Sequence, residues 1–208
     1  MNILTTIMSK PVNGKQAAAV NQFQELAQTA RDAGANRVNV SRVISGQNIG
    51  QLQCRVFTED LAHAGKISAA MWSSDTATQS MSEEHPSGEI VGLIRSSVIY
   101  RALPTPEADP VMGTVLGLQP HPGNGPQLEE RLAAWADLWV EGGAMQSFVT
   151  SAITGTNGPA LFLTVTYADW DSWGAAVSHT RGSELMRSLR ESSNSAATVM
   201  ANIQLATL

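Results

Sequence analysis

A chain of 208 residues, 43% hydrophobic and 15% charged, can bury a sizeable core and does not have a disordered composition. Its formal charge of -5 at pH 7, with only 13 scattered Lys and Arg, excludes an extended phosphate-binding surface, so neither nucleic acid nor an anionic membrane is an expected partner. No run reaches the roughly 18 apolar residues of a membrane span, and Met1–Lys10 lacks the basic-then-apolar pattern of a signal peptide, which reads as a cytoplasmic protein.

An apolar strand over residues 3–9 runs into Pro11-Val12-Asn13-Gly14, a turn, after which Val20, Phe23, Ala27 and Ala30 switch to helical spacing. Gly34 suits the left-handed conformation that closes this helix. Strands over 37–44 and 50–57 follow as a hairpin, joined by Gly and Asn turn residues. A second helix opens near Thr58 with Leu61, Ala64, Ser68 and Met71 on its buried face, and a last strand covers 90–101. Three prolines within 102–110 then favour an extended connector.

Beyond the connector the string repeats. A strand over 113–119 leads to a helix with Leu128, Leu132, Trp135 and Trp139 on one stripe, ended by Gly142-Gly143. Strands over 146–153 and 160–167 form a hairpin. A helix opening at Asp169 presents Trp170, Trp173, Val177, Leu185 and Leu189, and a strand covers 198–207. Two local echoes support duplication. Pro-x-Asn-Gly-x-Gln occurs at Pro11 and again at Pro122, and Ile44-Ser45-Gly46-Gln47-Asn48 returns as Ile153-Thr154-Gly155-Thr156-Asn157. The expected fold is therefore α+β, two tandem ferredoxin-like βαββαβ repeats whose antiparallel sheets pack as a fused pseudo-twofold dimeric α/β barrel. The repeats span 1–101 and 112–208, with 102–111 as the connector. Consecutive apolar residues at Ile90-Val91-Gly92-Leu93-Ile94 and Leu161-Phe162-Leu163 imply that both sheet faces are covered, one by helices and the other by the sister sheet.

Candidate chemistry is sparse. The single cysteine, Cys54, sits on an apolar strand and reads as a small buried hydrophobe. His179 and His121 are the candidates for proton transfer, because imidazole titrates near neutrality. No two of the four histidines have metal-ligand spacing, so no protein metal site is expected. Trp173, Trp139 and Tyr167 offer flat apolar walls to a small organic ligand. Arg42, Arg55 and Arg95 interrupt strands, where one could hold an anion or enolate; Arg42 and Arg95 are taken as substrate-binding. Gly123-Asn124-Gly125 lacks the third glycine of a dinucleotide motif, and no Gly-x-Ser-x-Gly elbow occurs.

Pro-x-Asn-Gly after the first strand, the hairpin, and the helix opening Tyr167-Ala168-Asp169-Trp170-Asp171-Ser172-Trp173 with His179 beyond it together resemble the dimeric α+β barrel superfamily, in its antibiotic-biosynthesis monooxygenase and NIPSNAP-like groups. The resemblance covers nearly the whole chain, once per repeat. It implies a small-molecule enzyme like the cofactor-independent monooxygenases, which stabilises the anion of a flat, enolisable substrate for reaction with dioxygen. The alternative is a non-catalytic small-ligand or stress-related protein. No cofactor is expected, though the superfamily's haem-degrading enzymes and dechlorinating peroxidases leave haem ligation by one histidine open. Aligning Phe57 with Tyr167 sets Trp173 against His63 and His179 against Ala69, so the halves should not share one site equally. Free helices and edge strands leave room for pairing as a homodimer.

Overall fold

The structure, a computed structural model, describes residues 2–80, 87–101, 108–191 and 196–208. Most of the proline-rich connector lies outside the described residues. In the first repeat β1 (Ile3–Pro11), α1 (Gln16–Asp32), β2 (Arg37–Gly46), β3 (Leu52–Thr58), α2 (Leu61–Trp72), α3 (Asp75–Ser80) and β4 (Gly88–Tyr100) follow in order. The second continues with β5 (Met112–Pro120), α4 (Gly125–Glu141), β6 (Gln146–Thr154), β7 (Leu161–Tyr167), α5 (Trp170–Gly182), α6 (Glu184–Glu191) and β8 (Ala197–Thr207).

Within each repeat the strands lie in ferredoxin-like order, β4-β1-β3-β2 and β8-β5-β7-β6, and all pairings are antiparallel. The sheets do not simply stack. Edge strand β2 pairs with β8, and β4 with β6, so eight strands close into one barrel with its edges consumed. Side-chain ties cross between the repeats as well: Arg37 Nη1 donates to Gln146 Oε1 at 3.2 Å, and Tyr100 and Arg101 both engage Asp137 on α4.

The strand pairings of the two repeats correspond at a constant step of 109 residues. Ile3 pairs with Thr58 as Met112 pairs with Tyr167, and Arg37 with Phe57 as Gln146 with Thr166. Left-handed glycines fall at Gly14 and Gly123, Gly34 and Gly143, Gly46 and Gly155. This corrects two alignments expected from sequence. The Pro-x-Asn-Gly-x-Gln echo is out of register, since Gly14 matches Gly123 rather than Gly125, and Trp173 and His179 match Ala64 and Ala70 rather than His63 and Ala69.

Helix ends explain two further differences. Asp60, not Thr58, caps α2, its side chain accepting from His63 N at 2.7 Å, while Thr58 completes β3. Asp169 caps α5 in a reciprocal capping box with Ser172. What reads as one long second helix is broken in both repeats by a serine. Ser74 Oγ accepts from Ala77 N and Ser183 Oγ from Met186 N, so each hydroxyl starts a new helix in place of the continuing backbone ladder. Leu61 and Trp170, expected on buried faces, occupy the first helical position after each cap and are exposed.

Strand alternation divides the core. The outward sheet face of each repeat packs on its helices, with Phe23, Leu26, Cys54 and Ile67 in one cluster and Leu132, Val149, Leu163 and Tyr167 in the other. The inward faces meet across the lumen through smaller clusters, Val43 with Val115, Ile203 and Leu205, and Leu4 with Phe57 and Phe148. Covering of both faces holds for Leu161-Phe162-Leu163, where the two leucines are buried against the helices and Phe162 is half-buried toward the lumen, but not for the start of β4, where Ile90, Val91 and Leu93 are exposed because this end projects past the seam with β6. No helix among the described residues is long and apolar enough to cross a membrane.

Candidate functional site

A cavity of about 370 Å³ lies in the second repeat between the outward face of β5, β7 and β8 and the helices α4, α5 and α6. Trp135 and Trp139 stand one turn apart on α4 and share a helix face, and Trp173 enters from the first turn of α5. Thr114 and Leu116 with Leu163 and Val165 form the floor, as alternate residues of paired strands must. Arg181, Asn202 and Gln204 add polarity; Arg181 and Asn202 are exposed and mark the mouth.

The aromatic wall is braced from behind. Trp139 meets Tyr167 edge to face at 6.3 Å, and Trp173 meets Trp170 at 5.7 Å. Tyr167 is fully buried and its hydroxyl lies 3.5 Å from Thr114 Oγ1; burial pushes its pKa up to about 12, so it stays a neutral phenol. Trp135 Nε1–H is sealed from solvent with no acceptor, an unmet donor in the cavity wall.

The equivalent place in the first repeat is filled. Stepping back 109 residues replaces Trp135, Trp139, Thr180 and Met186 by Leu26, Ala30, Met71 and Ala77, all buried. Gln204 becomes Arg95, whose Nη2 donates to Ser68 Oγ on α2 at 2.9 Å and so spans the space from sheet to helix.

Of the residues expected to bind substrate, Trp139 and Trp173 line the cavity and Tyr167 supports it. Arg95 is engaged by Ser68 in the other repeat, and Arg42 lies half-buried on β2, which pairs with β8 but contributes no residue to the cavity. The two expected proton-transfer residues are not brought to it. His179 is exposed on α5 with its ring against Gly142, and His121 is exposed in the turn after β5, its Nε2 3.2 Å from Thr198 Oγ1. The polar rim of Arg181, Asn202 and Gln204 went unread, because a polar residue at a strand or helix end carries no mark that distinguishes a cavity mouth from open solvent. Trp135 stood in the expected helical stripe without a site role.

A haem would require an axial His, Cys or Tyr, or a Met paired with a His, in the cavity, where Met186 is present without a His partner among the described residues. His63, His121 and His179 all lie outside it, Cys54 is sealed in the first repeat with its thiol pushed up to about 12 by burial, and Tyr167 stands behind Thr114 and Trp139. His85 lies outside the described residues. The described residues of this cavity do not fit a haem, and no cluster of three potential metal ligands occurs among the described residues.

Residues 2–94 match a domain family of unknown function, DUF6854. No curated protein sequence matches the chain. Among solved structures, a candidate monooxygenase from Fusobacterium nucleatum superposes with a TM-score of 0.69 at 11% identity, covering 100% of this chain and 92% of that one. An anthrone oxidase-like protein gives a TM-score of 0.58 at 11% identity, covering 100% and 91%. A mutant chlorite dismutase from Candidatus Nitrospira defluvii gives 0.60 at 9%, also covering 100% and 91%. At these identities the likeness establishes the fold, the dimeric α+β barrel, here with both halves on one chain.

Proposed function

We propose that the second repeat binds a flat, largely apolar organic molecule against Trp135, Trp139 and Trp173 and oxygenates it without a cofactor. The observation that carries this reading is the asymmetry of the repeats: the helix–sheet space is packed with Leu26, Ala30 and Met71 in one and left open behind three tryptophans in the other. Packing alone favours filling such a space, so an open aromatic one suits an occupant.

No His, Asp or Glu among the described residues lines the cavity, so in this reading a substrate releases its own acidic C–H proton, to water at the mouth. Asn202, Gln204 and Arg181 would then face the oxygen of the resulting enolate and stabilise its charge. Dioxygen adds to the anionic carbon, and loss of water leaves a carbonyl. For anthrone, chosen because one structural relative is described as anthrone oxidase-like, the balance is anthrone plus O₂ giving anthraquinone plus water. The test is oxygen uptake and anthraquinone formation in air with wild-type protein and the Asn202→Ala and Trp173→Ala variants. Saturable turnover that falls at least tenfold in both variants supports the reading.

The missing acid–base residue favours one alternative, a ligand-binding protein without turnover. Saturable binding of anthrone with oxygen uptake no faster than in buffer would decide for it.

A further inference from the structure

Arg55 stands midway along β3, where Leu52, Cys54 and Val56 face the helices and Gln53, Arg55 and Phe57 face the lumen. It is 8% exposed, forms no hydrogen bond or ion pair among the described residues, and has its Nε sealed from solvent without an acceptor. No Asp or Glu among the described residues lines the lumen on either side of it. Its nearest charged neighbour, Arg37, has the same sign, and the acid near Arg37, Asp109, is exposed and 4.0 Å from it. Burial, and then Arg37, push the Arg55 pKa down to about 10. A buried cation without a counter-charge is unfavourable, and an arriving anion relieves it.

The space above Arg55 suits such an anion if it carries an apolar body. A cavity of about 320 Å³ extends along the barrel axis between Leu4, Met8, Val43, Ile94, Phe162 and Ile203. It opens between the two hairpin loops, at Gln47, Asn48 and Gln51 on one side and Gly155, Thr156 and Asn157 on the other. Toward the far end Phe57 and Phe148 meet edge to face at 6.2 Å, and only about 30 Å³ remains beside them. The lumen is thus entered from one end, with the guanidinium at its foot.

We propose that the barrel lumen is a second binding site, distinct from the helix–sheet cavity, for a small organic monocarboxylate whose head pairs with Arg55 and whose apolar body fills the space up to the hairpin loops. The planar fork of arginine matches a carboxylate. Arg55 is the one charged side chain of the described residues that lines this cavity, and it compensates one negative charge, which disfavours the phosphate dianion. The pseudo-twofold does not double the site, because Thr164 and Phe162 stand where the second repeat would need Arg55 and Gln53, so one ligand binds per chain.

The test is calorimetric titration of the whole protein with octanoate, octan-1-ol and inorganic phosphate. Octanoate binds one to one, and the other two bind at least tenfold more weakly. Tryptophan fluorescence stays unchanged, since no tryptophan lines the lumen. Arg55→Met lowers octanoate affinity at least tenfold while melting no lower than wild type in the absence of ligand. Ile94→Trp, which fills the lumen without altering the charge, abolishes octanoate binding and decides the matter if the first variant does not fold. Absence of octanoate binding, equal binding of octanol or phosphate, unchanged affinity in either folded variant, or quenching of the tryptophans by octanoate overturns the proposal.

Discussion

Gly46 and Gly155 stand 109 residues apart at the two places where the sheets of the repeats are sewn together, and each has opposing backbone where a side chain would go. A Cβ on Gly46 would lie 2.0 Å from Asn202 O across the β2–β8 seam, and one on Gly155 would lie 2.0 Å from Leu93 O across the β4–β6 seam. Both also hold a left-handed φ, +87° and +89°. Closure of the barrel therefore depends on two hydrogen atoms.

Substitution separates the two costs. Gly14→Ala meets nothing within 4 Å and bears only the strain of its φ of +80°, expected at about 1 kcal/mol. Gly46→Ala and Gly155→Ala add displacement of a seam strand, for a total of about 2–5 kcal/mol each. Urea unfolding of the three variants checks this ordering.

Each repeat taken alone would expose two unpaired edge strands and its lumen face. We propose that 1–101 and 112–208 are the two units of the fold and do not fold as separate monomers. Expressed apart they should aggregate or self-associate; expressed together they should restore a complex with the circular dichroism of the intact chain. A folded, monomeric 1–101 fragment contradicts this.

Trp135→Phe removes a buried donor that has no acceptor. Leaving such a group unpaired costs about 1–3 kcal/mol, and removing it recovers part of that cost. The variant should be at least as stable as wild type in urea, whereas Trp139→Ala, which empties the space against Tyr167, should be destabilised by about 2 kcal/mol or more.

Alkaline pH should weaken the fold. Burial raises the Cys54 thiol from 9.0 to about 12, so it stays protonated in the folded chain while the unfolded chain ionises first. Its contribution is intact below pH 9 and declines above it, by about 1 kcal/mol at pH 10. Unfolding free energies of wild type and Cys54→Ala from urea titrations should converge by that amount between pH 8 and pH 10.

How much of this was legible in the sequence follows from what a local pattern can encode. Strand and helix periods, the capping Asp169 and the seam motif at Gly46 and Gly155 gave eight strands, their order of appearance and the doubled unit. The Pro-x-Asn-Gly echo misled because turn residues recur for local reasons, while register is set by strand pairing. Arg55 was the hardest to place. Alternation along Leu52-Gln53-Cys54-Arg55-Val56 marks one face polar, which in an open sheet means solvent; only closure of the barrel turns that face inward. His179 was chosen for its titration range, and the turn of α5 directs it to Gly142 instead.

The occupancy of the tryptophan cavity is tested most directly by the indole N–H signals in a ¹H–¹⁵N spectrum, recorded under argon as anthrone is added. The signals of Trp135, Trp139 and Trp173 should shift progressively to saturation while that of Trp72, packed in the first repeat, stays fixed. If the three cavity indoles do not move, or if Trp72 moves and they do not, the second repeat is not where the ligand binds.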